Sequence, residues 1–237
     1  TVLRADVTQK TSEAVLSNVL AFMSYGEETF LYVTKGDAKE GMVEVLLKVA
    51  DKSYKLRDIQ EDTVYLLAIS KLGNAYVLGT GTPKDNRVIV YNDPIHALDA
   101  NDFSTIPVPT TVLNVTSPNE VHISADSSVI MARNNTTVAS HEFEADRSYT
   151  FNLAVSVRDQ TESHWVDGQH LIYTADSGAL QMVDFDGSND YELVAGAGAL
   201  QGYFSRTMDL LYTTGAVPEG LTTPPLLRHY MRTQADR

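Results

Sequence analysis

Residues 122–151 lie over residues 164–193 without a gap, at an offset of 42 residues. His122 falls on His164, Ile130 on Ile172, Phe143 on Phe185 and Tyr149 on Tyr191. Apolar partners recur as Ile123 with Trp165, Val129 with Leu171, Met131 with Tyr173 and Val138 with Leu180, while Glu142 meets Asp184. The matched apolar and turn positions carry the repeat more than the identities do. Leu210-Leu211-Tyr212-Thr213-Thr214 echoes Leu171-Ile172-Tyr173-Thr174-Ala175 at an offset of 39, and Phe30-Leu31-Tyr32-Val33-Thr34 is a looser echo. A period of about 40 residues implies similar units side by side, none able to bury its apolar faces alone.

The unit itself reads clearly in 164–193. Short apolar runs are ended by Asp167-Gly168, by Asp176-Ser177-Gly178 and by Asp186-Gly187-Ser188-Asn189. Runs of this length between such residues are strands joined by tight turns, and Asp-Gly supplies the positive φ that short hairpins need. The unit is therefore a meander of four antiparallel strands. The same reading gives runs at 19–25, 29–35, 42–49 and 54–59, then at 64–70, 75–79, 87–91 and 111–115. A third group lies at 120–124, 128–133, 138–143 and 148–153, and a fifth at 201–205, 210–213 and 226–231. A helix could claim 42–49, but Gly41 opens it and Val43, Val45 and Val49 sit in it, which favours a strand. Residues 11–18 read as a helical turn or loop, and 79–86 as a break between strands. A long polar insertion at 92–109 contains Pro94, Pro107 and Pro109. The polar tail 233–237 is expected to fray.

Four-stranded units at this period predict an all-β fold, a β-propeller of antiparallel blades. The fifth group has three strands, while 1–7 alternates as a strand without a group. Pairing the N-terminal strand onto group five would remove an open edge and close five blades in one domain over 1–237. A β-sandwich is the alternative architecture, and a larger propeller of which this chain is a piece is another.

The formal net charge of −13 disfavours nucleic acid or an anionic membrane surface as partner. The chain has no cysteine, which excludes a disulfide framework, a thiolate metal site and a thiol nucleophile. No apolar run approaches the roughly 18 residues of a spanning helix. Thr1 is not an initiator Met, so the expectation is a cut domain or processed product whose anchor, if any, lies upstream.

The central unit resembles the repeat of TolB-like propellers, in which a turn of the type "PDG" precedes an apolar strand, then "VMDADGSN" and a closing strand. The match here is Val166-Asp167-Gly168, Leu171-Ile172-Tyr173 and Met182-Val183-Asp184-Phe185-Asp186-Gly187-Ser188-Asn189. Pro118-Asn119 and Ser124-Ala125-Asp126 are weaker forms. The chain is also similar to propellers that follow PEGA domains in bacterial surface proteins. The resemblance implies an extracytoplasmic, anchored, non-catalytic protein that binds a protein or polysaccharide through one loop face. It brings no catalytic residues and no cofactor.

Particular residues invite chemistry. Asp184, Asp186, Ser188 and Asp190 alternate like a calcium loop, but Gly187 stands fourth rather than sixth and Ala195 replaces the closing Glu, so a hairpin turn is the simpler reading. His122 and His164 open equivalent strands. They suit a metal in a channel or, more simply, a repeated histidine bonding a neighbouring strand. Gly79-Thr80-Gly81-Thr82-Pro83-Lys84 lacks the ending of a phosphate loop and reads as a hairpin loop, and Gly196-Ala197-Gly198 reads as a connection between blades. Asp37, Asp85, Asp126, Glu162 and Asp167 are the carboxylates that a propeller glycoside hydrolase would need in its channel, but most sit in turns. Trp165 is the only tryptophan and reads as core before it reads as an exposed anchor. Loops are the expected recognition rim. Asn92, Asp93, His96, Asp99, Asp102 and Phe103 form the candidate binding loop, with 215–225 as the second.

Overall fold

Each of the five strand groups is a sheet. The computed structural model describes residues 1–6, 8–96, 107–159, 161–195, 202–205, 209–215, 217, 219–220 and 222–231. The chain divides into two compact units, Thr1–Val121 and His122–Arg237.

In the first unit, β1 (Val2–Asp6) and β2 (Thr11–Leu16) form a hairpin. A meander follows of β3 (Val19–Tyr25), β4 (Thr29–Thr34), β5 (Met42–Val49) and β6 (Lys52–Gln60), then one of β7 (Leu66–Leu72), β8 (Ala75–Thr82), β9 (Arg87–Asn92) and β10 (Thr111–Asn114). Segment 42–49 is a strand, and Thr111–Asn114 completes the sheet of β7, β8 and β9, as the residues predict. Three expectations are corrected. The N-terminal strand does not pair onto the last group: its partner is β2, with Arg4 opposite Glu13 and the two side chains ion-paired. Residues 11–16 are thus strand, not loop. Likewise 79–82 continue β8 rather than turning. A Cβ on Gly81 would stand 2.6 Å from the Arg87 carbonyl, so glycine is there for close strand approach, and the turn falls at Pro83–Asp85.

One face of β4 packs Leu31 and Val33 with Val43, Val45 and Leu47 against Leu67, Ile69 and Leu78 of the next sheet. Its other face turns Phe30 and Tyr32 onto Leu16, Val2 and Val15 of the hairpin. Burial on both sides explains why β4 is a continuous apolar run rather than an alternating one. Between β6 and the Pro83–Asp85 turn, Arg57 and Asp85 form an ion pair at 2.9 Å with both side chains largely buried.

The second unit holds three sheets. The first is β11 (Glu120–Ile123), which begins at the division between units, with β12 (Val129–Arg133), β13 (Thr137–Glu142) and β14 (Arg147–Asn152). The second is β15 (His164–Trp165), β16 (His170–Thr174), β17 (Leu180–Asp184) and β18 (Tyr191–Val194). The third is β19 (Gly202–Phe204), β20 (Leu210–Thr214) and β21 (Leu226–Tyr230). Met131, Val138 and Leu153 of the first sheet share a core with Leu171, Tyr173 and Val183 of the second. Hydrogen bonds reinforce that contact: Ser140 Oγ donates to the Phe185 carbonyl at 2.5 Å, and the Ala154 N–H to Asp190 at 2.8 Å. Gly187, at φ +88°, sits under Phe151, where a Cβ would come within 2.6 Å of the ring. Gly168 has a different reason from the one its Asp-Gly context predicts. Its φ is not positive, but a Cβ there would meet the Asp126 carboxylate at 2.1 Å.

Candidate interaction surface

The residues that invited chemistry are mostly spent on holding turns. Ser124 Oγ donates to Asp126 at 2.7 Å and accepts from the Val129 N–H at 3.0 Å, clipping the turn between β11 and β12. Ser205 repeats this before β20, donating to Asp209 at 2.8 Å and accepting from the Leu210 N–H at 3.1 Å. In the middle sheet Asp167 takes over, accepting from the N–H groups of Gln169 at 2.7 Å and His170 at 2.8 Å. Burial raises the Asp167 carboxyl, but those N–H groups and the His170 ring outweigh it and hold the group below the usual carboxylate range. Asp126 is held low in the same way by Ser124 and Ser128 against its burial.

The calcium-like acids do not converge on one point. Asp186 accepts from the Ser188 hydroxyl at 2.6 Å and its N–H at 2.9 Å, which keeps its carboxyl low. Asp184 accepts from Asn189 at 2.7 Å and Ser188 at 3.2 Å. Asp190 instead accepts from the Tyr173 hydroxyl at 3.1 Å and the Ala154 N–H at 2.8 Å. Burial, then Asp190, pushes the Tyr173 hydroxyl well above its ordinary range. His164 behaves as a structural histidine: its Nε2 lies 2.7 Å from the Gly202 carbonyl of the next sheet, and its ring stacks on Tyr203 at 5.0 Å. His122 has partners of its own. Trp165 packs against the shared core.

Of the five candidate carboxylates, Asp85 is paired with Arg57, Asp126 and Asp167 hold turns, and Asp37 and Glu162 are exposed. Among the described residues no group of three or more His, Asp or Glu is placed to hold a metal. A cluster that spacing could not reveal joins His170 to Asp167 at 2.7 Å and to Asp184 at 3.5 Å, because strand register sets His170 opposite Asp184. In the candidate loop, Asn92, Asp93 and His96 are exposed. Asp99, Asp102 and Phe103 lie outside the described residues, as does Gly196-Ala197-Gly198.

Two open surfaces remain. In the first unit a groove of about 960 Å³ runs between the hairpin and the β3–β4 edge, lined by Leu3, Arg4, Glu13, Phe22 and Phe30 among others. In the second unit, the two faces of the sheet β19–β21 differ among the described residues. Leu211 and Thr213 are buried, and Gly202 meets Leu180 so closely that a Cβ would lie 2.4 Å from its methyl. On the other face, Tyr203 is 56% exposed, Leu226 72% and Tyr230 66%, with Arg228 stacked over the Tyr230 ring at 5.0 Å. Tyrosine and arginine are among the residue types enriched at protein interfaces.

No family model matches the chain, and no curated protein matches it. Solved structures do. The C-terminal WD40 domain of Sif2 is 15% identical at a TM-score of 0.48, over 79% of this chain and 51% of that one. KlHsv2 with loop 6CD replaced by a Gly-Ser linker is 10% identical at a TM-score of 0.53, over 95% and 76%. Kuenenia stuttgartiensis hydrazine synthase is 9% identical at 0.49, over 93% and 65%. The chain spans about half the length of the WD40 structure. The likeness is one of fold: this is an all-β chain with propeller-type neighbours, and among the described residues four of its six antiparallel sheets are four-stranded.

Proposed function

We propose that the chain is a non-catalytic, propeller-type scaffold that binds another protein through the open face of β19–β21. The observation that carries this is the contrast between a side-chain inventory engaged in holding turns and the exposed patch of Tyr203, Leu226, Arg228 and Tyr230, which joins aromatic rings to a guanidinium. In this reading the sheets are blades of a TolB-like ring. The protein works outside the cytoplasm, at a bacterial surface, as in propellers that follow PEGA domains. The propeller-type neighbours support an interaction role, since such folds commonly serve as protein-binding modules.

The test is affinity capture with the folded chain beside a Leu226→Asp/Tyr230→Asp variant, with retained proteins identified by mass spectrometry. Specific partners should fall at least fivefold on the variant. Equal retention, or loss only when 92–109 is replaced by Gly-Ser, would move the site elsewhere.

A further inference from the structure

The two complete sheets of the second unit show what the third lacks. In each, the third strand is bonded on both sides: β13 by β12 and β14, and β17 by β16 and β18. β21 holds the place of a third strand and, among the described residues, is bonded only to β20. Its free edge has a definite polarity. The Met231 N–H donates to the Asp209 carbonyl and the Pro225 carbonyl accepts from the Gly215 N–H. Backbone groups alternate along a strand, so those of Leu227 and His229 face β20, while those of Leu226, Arg228 and Tyr230 face outward. The same three side chains share the exposed face.

We propose that β21 accepts an extended strand from a partner protein, antiparallel, with a carboxylate opposite Arg228 and apolar residues two positions to either side. This deepens the protein-binding reading and rests on it. Charge selects the occupant. Arg228 is the central, exposed side chain of the edge, and a carboxylate opposite it on an added strand would meet its guanidinium as a cross-strand pair of opposite charge. The flanking apolar residues cover Leu226 and Tyr230, as cross-strand neighbours do. The backbone supplies affinity and the alternate side chains supply selectivity, the logic of strand addition to an open sheet edge. A second copy of β21 is a poor occupant, because antiparallel self-pairing centred on Arg228 sets guanidinium against guanidinium.

The probe is a synthetic acetylated heptapeptide amide, Ser-Val-Thr-Glu-Thr-Val-Ser, titrated into the isotope-labelled chain with amide hydrogen exchange read by NMR. Binding should slow exchange of the outward Arg228 and Tyr230 amides at least tenfold. Arg228→Glu should weaken binding at least tenfold, and a peptide with Lys for Glu should restore it. Tyr230→Pro removes only an outward N–H and leaves pairing with β20 intact. It should abolish binding, whereas Tyr230→Ala keeps it within a few fold, with circular dichroism confirming that each variant is folded. No binding at millimolar peptide, or no effect of Arg228→Glu, overturns the proposal. If Tyr230→Pro and Tyr230→Ala behave alike while the captured protein partner still needs Leu226 and Tyr230, strand addition falls and the protein-binding reading stands. If no partner depends on this face, that reading falls instead.

Discussion

The sheets β15–β18 and β19–β21 start from nearly the same strand, Leu171-Ile172-Tyr173-Thr174 in one and Leu210-Leu211-Tyr212-Thr213 in the other, and end in different environments. In β16 all four of these residues are buried, whereas in β20 burial alternates, with Leu211 and Thr213 inside and Leu210 and Tyr212 half-open. The local sequence does not cause this. Tyr173 is covered because β11–β14 packs over it and Asp190 takes its hydroxyl, whereas register turns Tyr212 the other way: β19 sets Tyr203 opposite Tyr212 where β15 sets His164 opposite Ile172, so Tyr212 stands in the place of Ile172 and is half-open. A residue in this repeat acquires its role from the sheet next to it, which is how a surface for binding can be made from a core sequence.

Truncation tests the comparison most strongly. Ile172→Ala should cost about 2–5 kcal/mol in urea unfolding, whereas Leu226→Ala should cost less than about 0.5 kcal/mol. Equal losses would mean that the outer face is covered in solution. A smaller effect is expected for Tyr173→Phe. It removes the hydroxyl bonded to Asp190 and should cost about 1–2 kcal/mol, while Tyr212→Phe should be nearly silent. The mildest separation comes from acid. Asp126, Asp167 and Asp186 are held below the ordinary carboxylate range, so their contribution is complete above the unfolded value near 3.9 and is lost as pH falls through the folded values. Unfolding midpoints measured from pH 6 to pH 2 should therefore fall less steeply for Asp167→Asn than for the parent chain. A parallel fall would show that the turn carboxylate is not the titrating group.

Most of the strand order was legible because turns and apolar runs are local signals. Met42–Val49 could be placed as a strand from Gly41 and its valines alone. The misreadings share a cause. Residues 79–82 look like a loop because glycine usually marks one, but Gly81 is there to let β9 approach. Residues 11–16 look unstructured because β2 buries only Leu16 and therefore shows no alternation. The N-terminal strand was assigned to the fifth group by counting edges, and a hairpin partner nine residues away is invisible to that count. The Ser124 and Ser205 clips share no spacing: the acid follows two residues on in one and four in the other. The open face of β19–β21 was not legible, since the residues that would cover it are what sequence similarity to β16 suggests should be present.

Gly202 gives the outermost sheet an unusual sensitivity. One added methyl would strike Leu180, which packs on the buried face of this sheet. Replacing that hydrogen with carbon should loosen β19–β21 as a body while the two inner sheets stay intact. The seating of this sheet therefore depends on a position without a side chain.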